Sequence, residues 1–213
     1  VSAGPTYEDI DPVRFIGNRS SGRMGFAVAE AAAQAGAKVT LISGPVNLPT
    51  PHGVDRVNVR SARQMCDAVL AVSGRSDIFI SAAAVGDYRV EARSPTKLKK
   101  TGKPLSLELI QNPDILAEVA ALPKRPFLVG FAAETKDVER YARDKLERKK
   151  LDMIAANLVG TDLGFESSEN ALLLLWQEGS EDLGQADKKV LARALVERIA
   201  SRFHTSIDKV ATE

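Results

Sequence analysis

The residues with the plainest chemical capacity lie in a glycine-rich stretch, Gly17-Asn18-Arg19-Ser20-Ser21-Gly22-Arg23-Met24-Gly25. Backbone N–H groups at a helix N-terminus form an anion site, and glycines let a phosphate approach closely. Ser20 or Ser21 can cap the helix that follows, so Ser20, Ser21 and Gly22 are the candidate phosphate loop. The spacing of Gly17, Gly22 and Gly25 is not G-x-G-x-x-G, and Ser43-Gly44 stand where an acidic residue would hold a ribose diol. Against the pattern G-x-x-x-x-G-K-[ST], Arg23 and Met24 replace the lysine and the magnesium-binding hydroxyl residue. A plain strand-to-helix turn with a serine cap explains the same residues without a ligand.

A second stretch, Ser81-Ala82-Ala83-Ala84-Val85-Gly86-Asp87-Tyr88, ends an apolar run that starts at Asp77. Open α/β sheets bind ligands outside the carboxyl ends of their strands. Small side chains there leave room for a flat ring, and Asp87 can accept hydrogen bonds from a base or a ribose. The same alanines also read as core, with Asp87 in a turn. Lys97, Lys99, Lys100 and Lys103 read as a solvated edge that discourages strand aggregation, unless their segment folds over the site and brings a lysine to phosphate oxygens. Asn112-Pro113-Asp114 reads as helix initiation, Asn112 as N-cap and Pro113 as first helical residue. This start would face the same site. Phe131-Ala132-Ala133-Glu134-Thr135 is a further strand end of small residues. After it come Lys145 and Lys149, four apart and so on one helical face. Phosphate binding and a solvated face account equally for those two lysines. Cys66, His52 and His204 have no partner at metal or triad spacing, and Cys66 reads as core.

The elements that must position these stretches follow an α/β rhythm, with apolar runs alternating with amphipathic ones. Helices are expected over Arg23 to Ala35, with Met24, Ala27, Val28, Ala31 and Ala35 on one face, and over Ser61 to Val72, Pro113 to Leu122 and Val138 to Lys150. Leu191, Leu195 and Ile199 mark a last helix, with a frayed tail after about His204. Strands are expected at Lys38 to Ser43, Val54 to Val59, Asp77 to Val85, Phe127 to Ala132, Asp152 to Ala156 and Ala171 to Gln177. Tyr88 to Ile110 breaks the rhythm. A turn around Gly102 and the alternation of Leu105, Leu107 and Leu109 predict a β-hairpin arm over about 88–110. No linker divides the chain, so one domain over 1–213 is expected.

Composition narrows the partners. With 29 Lys+Arg against 28 Asp+Glu there is no bulk field for nucleic acid, and a hydrophobic fraction of 44% excludes disorder. A single cysteine fits a reducing, cytoplasmic setting. The longest apolar runs fall far below the roughly 18 residues of a membrane span. Val1 lies already in a strand-like run, which predicts a piece of something longer.

Taken together, Asp11 to Gly25 (DPVRFIGNRSSGRMG), Ala82 to Arg89 (AAAVGDYR), Lys97 to Lys100 (KLKK), Asn112 to Leu116 (NPDIL) and Gly130 to Thr135 (GFAAET) closely resemble phosphopantothenate–cysteine ligase. That family forms the C-terminal half of bacterial bifunctional coenzyme A biosynthesis proteins, and the likeness runs from Ser2 to about Phe203. The resemblance implies a Rossmann-like α/β fold, a mostly parallel sheet with helices on both faces and an inserted hairpin that serves as a dimerisation arm. It implies a CTP-dependent ligase that joins 4′-phosphopantothenate to cysteine through an acyl-cytidylate, with Mg²⁺ accompanying the nucleotide. A flavin-binding decarboxylase domain would precede it in the full-length protein, with no flavin in this fragment.

By motif position, Lys97 matches the lysine that forms the acyl-cytidylate, Asn18 the asparagine that consumes it, and Arg14 an arginine that supports the site. Ser81, Ala82, Ala83, Asp87, Pro113, Asp114, Ile115, Leu116, Phe131, Lys145 and Lys149 match CTP-contacting positions, with Lys97 among them. Departures at Arg19, Arg23 and Gly86 are small. Two other readings stay open: an NAD(P)-dependent oxidoreductase, which lacks its fingerprint here, and a non-catalytic nucleotide-binding module.

Overall fold

A computed structural model describes residues 1–102, 104–134, 137–158 and 169–211. In chain order the elements are β1 (Ser2–Ala3), β2 (Tyr7–Asp9), β3 (Phe15–Gly17), α1 (Arg23–Gln34), β4 (Val39–Ser43), β5 (Val54–Asn58), α2 (Ala62–Ser73) and β6 (Ile78–Ser81). There follow β7 (Tyr88–Val90), β8 (Leu109–Gln111), α3 (Ile115–Ala120), β9 (Phe127–Glu134), α4 (Val138–Arg148), β10 (Met153–Leu158), β11 (Glu169–Trp176), β12 (Gly179–Asp187) and α5 (Lys188–Ala211). Eight strands form one sheet in the order β12-β11-β10-β9-β6-β1-β4-β5. The run from β5 to β10 is parallel, and β11 and β12 are added antiparallel. This is the Rossmann-like order, whose direction of winding reverses between β1 and β6.

Alternation along each strand divides the core, because successive side chains point to opposite faces. Ile42, Phe79, Leu128, Ile154 and Leu175 pack with α2, α3 and α4. Their neighbours Leu41, Ile80, Val129, Met153 and Leu174 face the other way, toward α1 and α5. Helix α1 is apolar on two sides. Ala27, Val28 and Ala31 meet α5, while Phe26, Ala29 and Ala32 meet β1, β4 and β5. Ala35 is exposed at the C-cap, outside the expected apolar face.

Several expectations need correcting. The strand expected to reach Val85 ends at Ser81. Beyond it the chain stays beside β1 through Ala82 N to Ser2 O and Ala84 N to Gly4 O. Among its described residues the arm has strand pairing only at its base, where Tyr88↔Gln111 and Val90↔Leu109 form a short ladder. From Ala92 to Glu108 no described residue is in a strand, because alternation without a facing partner leaves backbone groups unpaired. The tail after His204 is helical to Ala211, as α5 simply continues. Two elements went unforeseen: the β2–β3 hairpin inserted between β1 and α1, and the polar edge strand β12. Among the described residues no helix is long and apolar enough to cross a membrane.

Candidate functional site

The winding reverses between β1 and β6, the place where open α/β sheets leave a crevice outside the carboxyl ends of their strands, and α1 starts beside it. Gly25 sits so close to β1 that a Cβ there would lie 2.5 Å from Ala3 Cβ and 3.4 Å from Ala82 Cβ. The α1 N-cap is Gly22, in the left-handed region at φ 73°, with no side-chain cap. The expected serine cap is therefore corrected. Ser20 Oγ accepts from Gly22 N at 3.3 Å instead, and a left-handed residue is cheapest as glycine. Ser21 is half-buried in the same loop. The N-cap of α1 thus supplies no carboxylate or hydroxyl to the first turn, whose N–H groups favour an anion.

Asn18 crosses the crevice mouth. Its Nδ2 donates to Val85 O at 3.0 Å, tying the glycine-rich loop to the segment after β6. That segment is held from below by Thr6, whose Oγ1 accepts from Gly86 N at 2.9 Å. Ser81, Ala82 and Ala83 are half-buried, and Asp87 is exposed at the end. Asn112 is not the cap of α3. It donates from Nδ2 to Gly86 O at 2.8 Å, and its N–H reaches Asp87 O at 2.8 Å. Asp114 caps α3, its Oδ1 accepting from Ala117 N at 3.1 Å. The helix is six residues long, and the Asp114 carboxylate takes the Ala117 N–H of its first turn. Pro113 sits between these two anchored residues.

Two cations close the far side. Lys145 Nζ donates to Phe131 O at 2.7 Å, within β9 and one residue past the level of Ser81, and Lys149 pairs with Asp114 Oδ2. Burial opposes ionisation of Asp114, but the Lys149 hydrogen bond, the Ala117 N–H and the charge of Lys145 hold its carboxyl below the usual carboxylate range. Ile115 and Leu116 are 5% and 8% exposed and lie in the core cluster with α2, so their side chains are not open to a ligand. Apolar residues at the first two positions of a short amphipathic helix bury before they bind. Lys103 and Thr135 lie outside the described residues.

Lys97 is exposed on the arm, one residue from a fixed point. Leu98 N donates to Asp11 Oδ2 and Arg14 Nη2 donates to Leu98 O, both at 3.1 Å. Asp11 Oδ1 also accepts from Val13 N at 2.7 Å and Arg14 N at 2.8 Å. Desolvation works against the Asp11 charge. The N–H donors of Val13, Leu98 and Arg14 and the Arg14 guanidinium outweigh it, so the carboxyl titrates below its ordinary value. Asp11 was missed as a functional candidate from the sequence, although Asp11-Pro12 announced a turn. The described residues therefore group Asn18, Ser81 to Asp87, Asn112 to Asp114, Phe131, Lys145 and Lys149 around one crevice. Arg14 and Lys97 belong to an adjoining layer.

A cavity of about 500 Å³ lies elsewhere, beside α1, lined by Arg23, Phe26, Leu48, Pro51 and Lys188 among others. It contains none of the residues from β6, β9 or α4, so the crevice and not this cavity is the candidate site. Burial, then the nearby Arg23 guanidinium, keep the Lys188 ammonium below its usual range.

Comparison with known proteins places this geometry in a family. A Vibrio parahaemolyticus protein named coenzyme A biosynthesis bifunctional protein CoaBC is 56% identical over 203 residues, 93% of this chain and 51% of the relative. The Haemophilus influenzae protein of the same name is 53% identical over 208 residues, 97% of this chain and 52% of the relative. The chain thus spans about half the length of the curated relatives it matches. The crystal structure of the C-terminal domain of a coenzyme A biosynthesis bifunctional protein CoaBC superposes with a TM-score of 0.81 at 38% identity, covering 96% of this chain and 94% of that one. The family pattern described as DNA/pantothenate metabolism flavoprotein C-terminal domain matches residues 1–203, and this chain belongs to that family.

Proposed function

We propose that this chain ligates 4′-phosphopantothenate to cysteine at the expense of CTP, as the C-terminal half of a coenzyme A biosynthesis protein. The carboxylate oxygen of phosphopantothenate forms a bond to the α-phosphorus of CTP, and the bond to pyrophosphate breaks. The cysteine amine then bonds to the acyl carbon, CMP leaves with the electron pair, and the amine proton passes to solvent. Attack of one anion on another requires positive charge and oriented donors around the phosphates.

The observation that carries this reading is that Asn18 and Lys145 are both anchored on main-chain oxygens just past the level at which β6 ends, Asn18 on Val85 in the segment after β6 and Lys145 on Phe131, the residue after the β9 partner of Ser81. It sets a neutral amide donor and a cation across a crevice floored by Ser81, Ala82 and Ala83. In this scheme the α1 start and Lys145 meet the triphosphate, and Asp87 and Pro113 to Asp114 border the base and ribose. Lys97 neutralises charge as the acyl-cytidylate forms, and the Asn18 amide stabilises the oxyanion as cysteine attacks. Arg14 supports Lys97 through the arm. Among the described residues no three His, Cys, Asp or Glu side chains gather as metal ligands; Mg²⁺ would arrive with the nucleotide, on its phosphate oxygens. When bound, that cation screens the phosphate charges. The arm would pair two copies, and a decarboxylase half carrying the flavin would occupy the rest of the longer protein.

The test is pyrophosphate release with CTP or ATP, with and without each co-substrate. Release that needs CTP and phosphopantothenate, with amide formed only when cysteine is added, is the expected result. CTP binding with no release would leave a non-catalytic module. A thermal shift with NADPH and none with CTP would return the oxidoreductase reading, which the strand order alone also accommodates.

A further inference from the structure

We infer that Asp11 is a positioning residue for the arm: with Arg14 it grips Leu98 by both main-chain polar groups and so sets where Lys97 stands. The inference rests on the ligase reading for the role of Lys97, but the grip itself rests on geometry alone. The Asp11 side chain is 0% exposed although it lies beside one of the most exposed segments of the chain. Two of its donors, Val13 N and Arg14 N, come from its own turn and would satisfy Oδ1 without the arm. The other oxygen, Oδ2, is shared by Arg14 Nη1 at 3.1 Å and Leu98 N at 3.1 Å, across 87 residues of sequence. Arg14 completes the bracket through Nη2 to Leu98 O at 3.1 Å. Ser94 N to Ile10 O, at 2.9 Å, fastens the same segment once more.

Leu98 is half-buried between exposed Lys97 and exposed Lys99. Adjacent Cα atoms are about 3.8 Å apart, so pinning Leu98 pins the main chain of Lys97. Among its described residues the arm has strand pairing only at its base. Without the grip, a segment that depends on side-chain bonds for its position would be mobile, and Lys97 would have to be ordered anew in each turnover. A carboxylate is needed at Asp11 because both of its oxygens only accept. In Asn one of these acceptors becomes a donor, so the amide nitrogen opposes either Leu98 N–H and Arg14 Nη1 or, when flipped, Val13 N–H and Arg14 N–H. Arg14 is then a positioning residue as well, which acts through Leu98.

The test compares Asp11→Asn with the parent protein, at matched oligomeric state, in two readouts. Trypsin cleavage after Lys97, Lys99 and Lys100 should speed up by about tenfold, the loss expected for a buried charge-assisted hydrogen bond. Pyrophosphate release from CTP and phosphopantothenate should fall by a similar factor, about tenfold, in kcat while CTP affinity is unchanged. Leu98→Pro removes the donor from the other side; because trypsin does not cut a Lys–Pro bond, cleavage is there compared after Lys99 and Lys100 only, and the double variant should be no worse than either single one. Cleavage at the parental rate in both Asp11→Asn and Leu98→Pro overturns the grip. Faster cleavage with parental kcat overturns its role in placing Lys97. If the parent itself releases no pyrophosphate, the ligase reading fails while cleavage still reports on the grip.

Discussion

Lys145 Nζ donates to the main-chain oxygen of Phe131 at 2.7 Å, so a cation from α4 is seated on β9 one residue past the level at which β6 ends. The carbonyl fixes where the ammonium stands. Positive charge is thereby fixed at the crevice, and its neighbour Lys149 is paired with Asp114. The two lysines share a helical face but have different structural tasks.

Lys149→Met should lower stability by less than about 1 kcal/mol, because both partners of the pair are partly exposed. The Asp114 carboxyl is depressed below 3.8 when folded, so the contribution of the pair is whole above that pH. It is lost as the pH falls through the lower folded value. The difference in Tm between parent and variant should accordingly be widest near neutrality and close at more acid pH, as followed by thermal melts across a pH series. A gap that widens on acidification would reverse this sign and reject the pair as its source.

Asn18→Asp places a carboxylate where the Nδ2 donor now meets Val85 O. A carboxylate accepts only, so the link across the crevice is lost and the acyl-cytidylate is repelled. Pyrophosphate release should persist while amide formation falls by about 10²-fold or more, the cost of removing an oriented donor. Quenched reactions should contain accumulated acyl-cytidylate. Normal amide formation would take Asn18 out of the mechanism.

Lys97→Gln keeps a long polar side chain on the same exposed stretch of the arm and removes its charge. The first half-reaction, read as pyrophosphate release without cysteine, should drop by about 10²-fold or more. The melting temperature should not change, since an exposed side chain contributes little to the fold. Unchanged release would return Lys97 to a solvated edge.

Gly25→Ala tests how tightly α1 must sit on β1. The added Cβ would meet Ala3 Cβ at 2.5 Å and Ala3 Cα at 3.2 Å, and neither can swing aside. Overpacking of this kind costs about 1–3 kcal/mol. Denaturant melts should show that loss, and calorimetric titration should show weaker CTP binding, because the helix start moves with the clash. Parental stability would mean that the helix shifts freely.

Tyr88, Leu105, Leu107 and Leu109 are 48%, 61%, 38% and 45% exposed along the arm. Apolar side chains clustered on one projecting element favour burial against a second surface. Leu105→Glu combined with Leu109→Glu should halve the sedimenting mass of a parental dimer. A parent that sediments as a monomer at micromolar concentration would remove the dimer proposal.

The α/β alternation, the strands at Val39–Ser43 and Phe127–Glu134 and the helices over Arg23–Gln34 and Ala62–Ser73 were legible in the residues themselves. In each, the apolar period reports which face is buried, and that period is a local property. Ser61 was legible as a helix start for the same reason, since its capping box with Gln64 spans only four residues. Strand β12 was not legible, because an edge strand with water on one side can be polar throughout. Nor was the β2–β3 hairpin, whose strands are three residues each.

The site divides in the same way. The sequence by itself determined that glycines and small residues would line strand ends and that lysines would follow. Tertiary structure alone decided which of several eligible groups took each task. It made Gly22 and not a serine the cap of α1, assigned Asp114 and not Asn112 to α3, turned Ile115 and Leu116 inward, and closed Asp11 over Leu98. A hydrogen bond between residues far apart in the chain forms only when folding brings both ends together. No local pattern encodes that meeting, since the entropy of closing the loop is repaid by contacts distributed over the whole sheet.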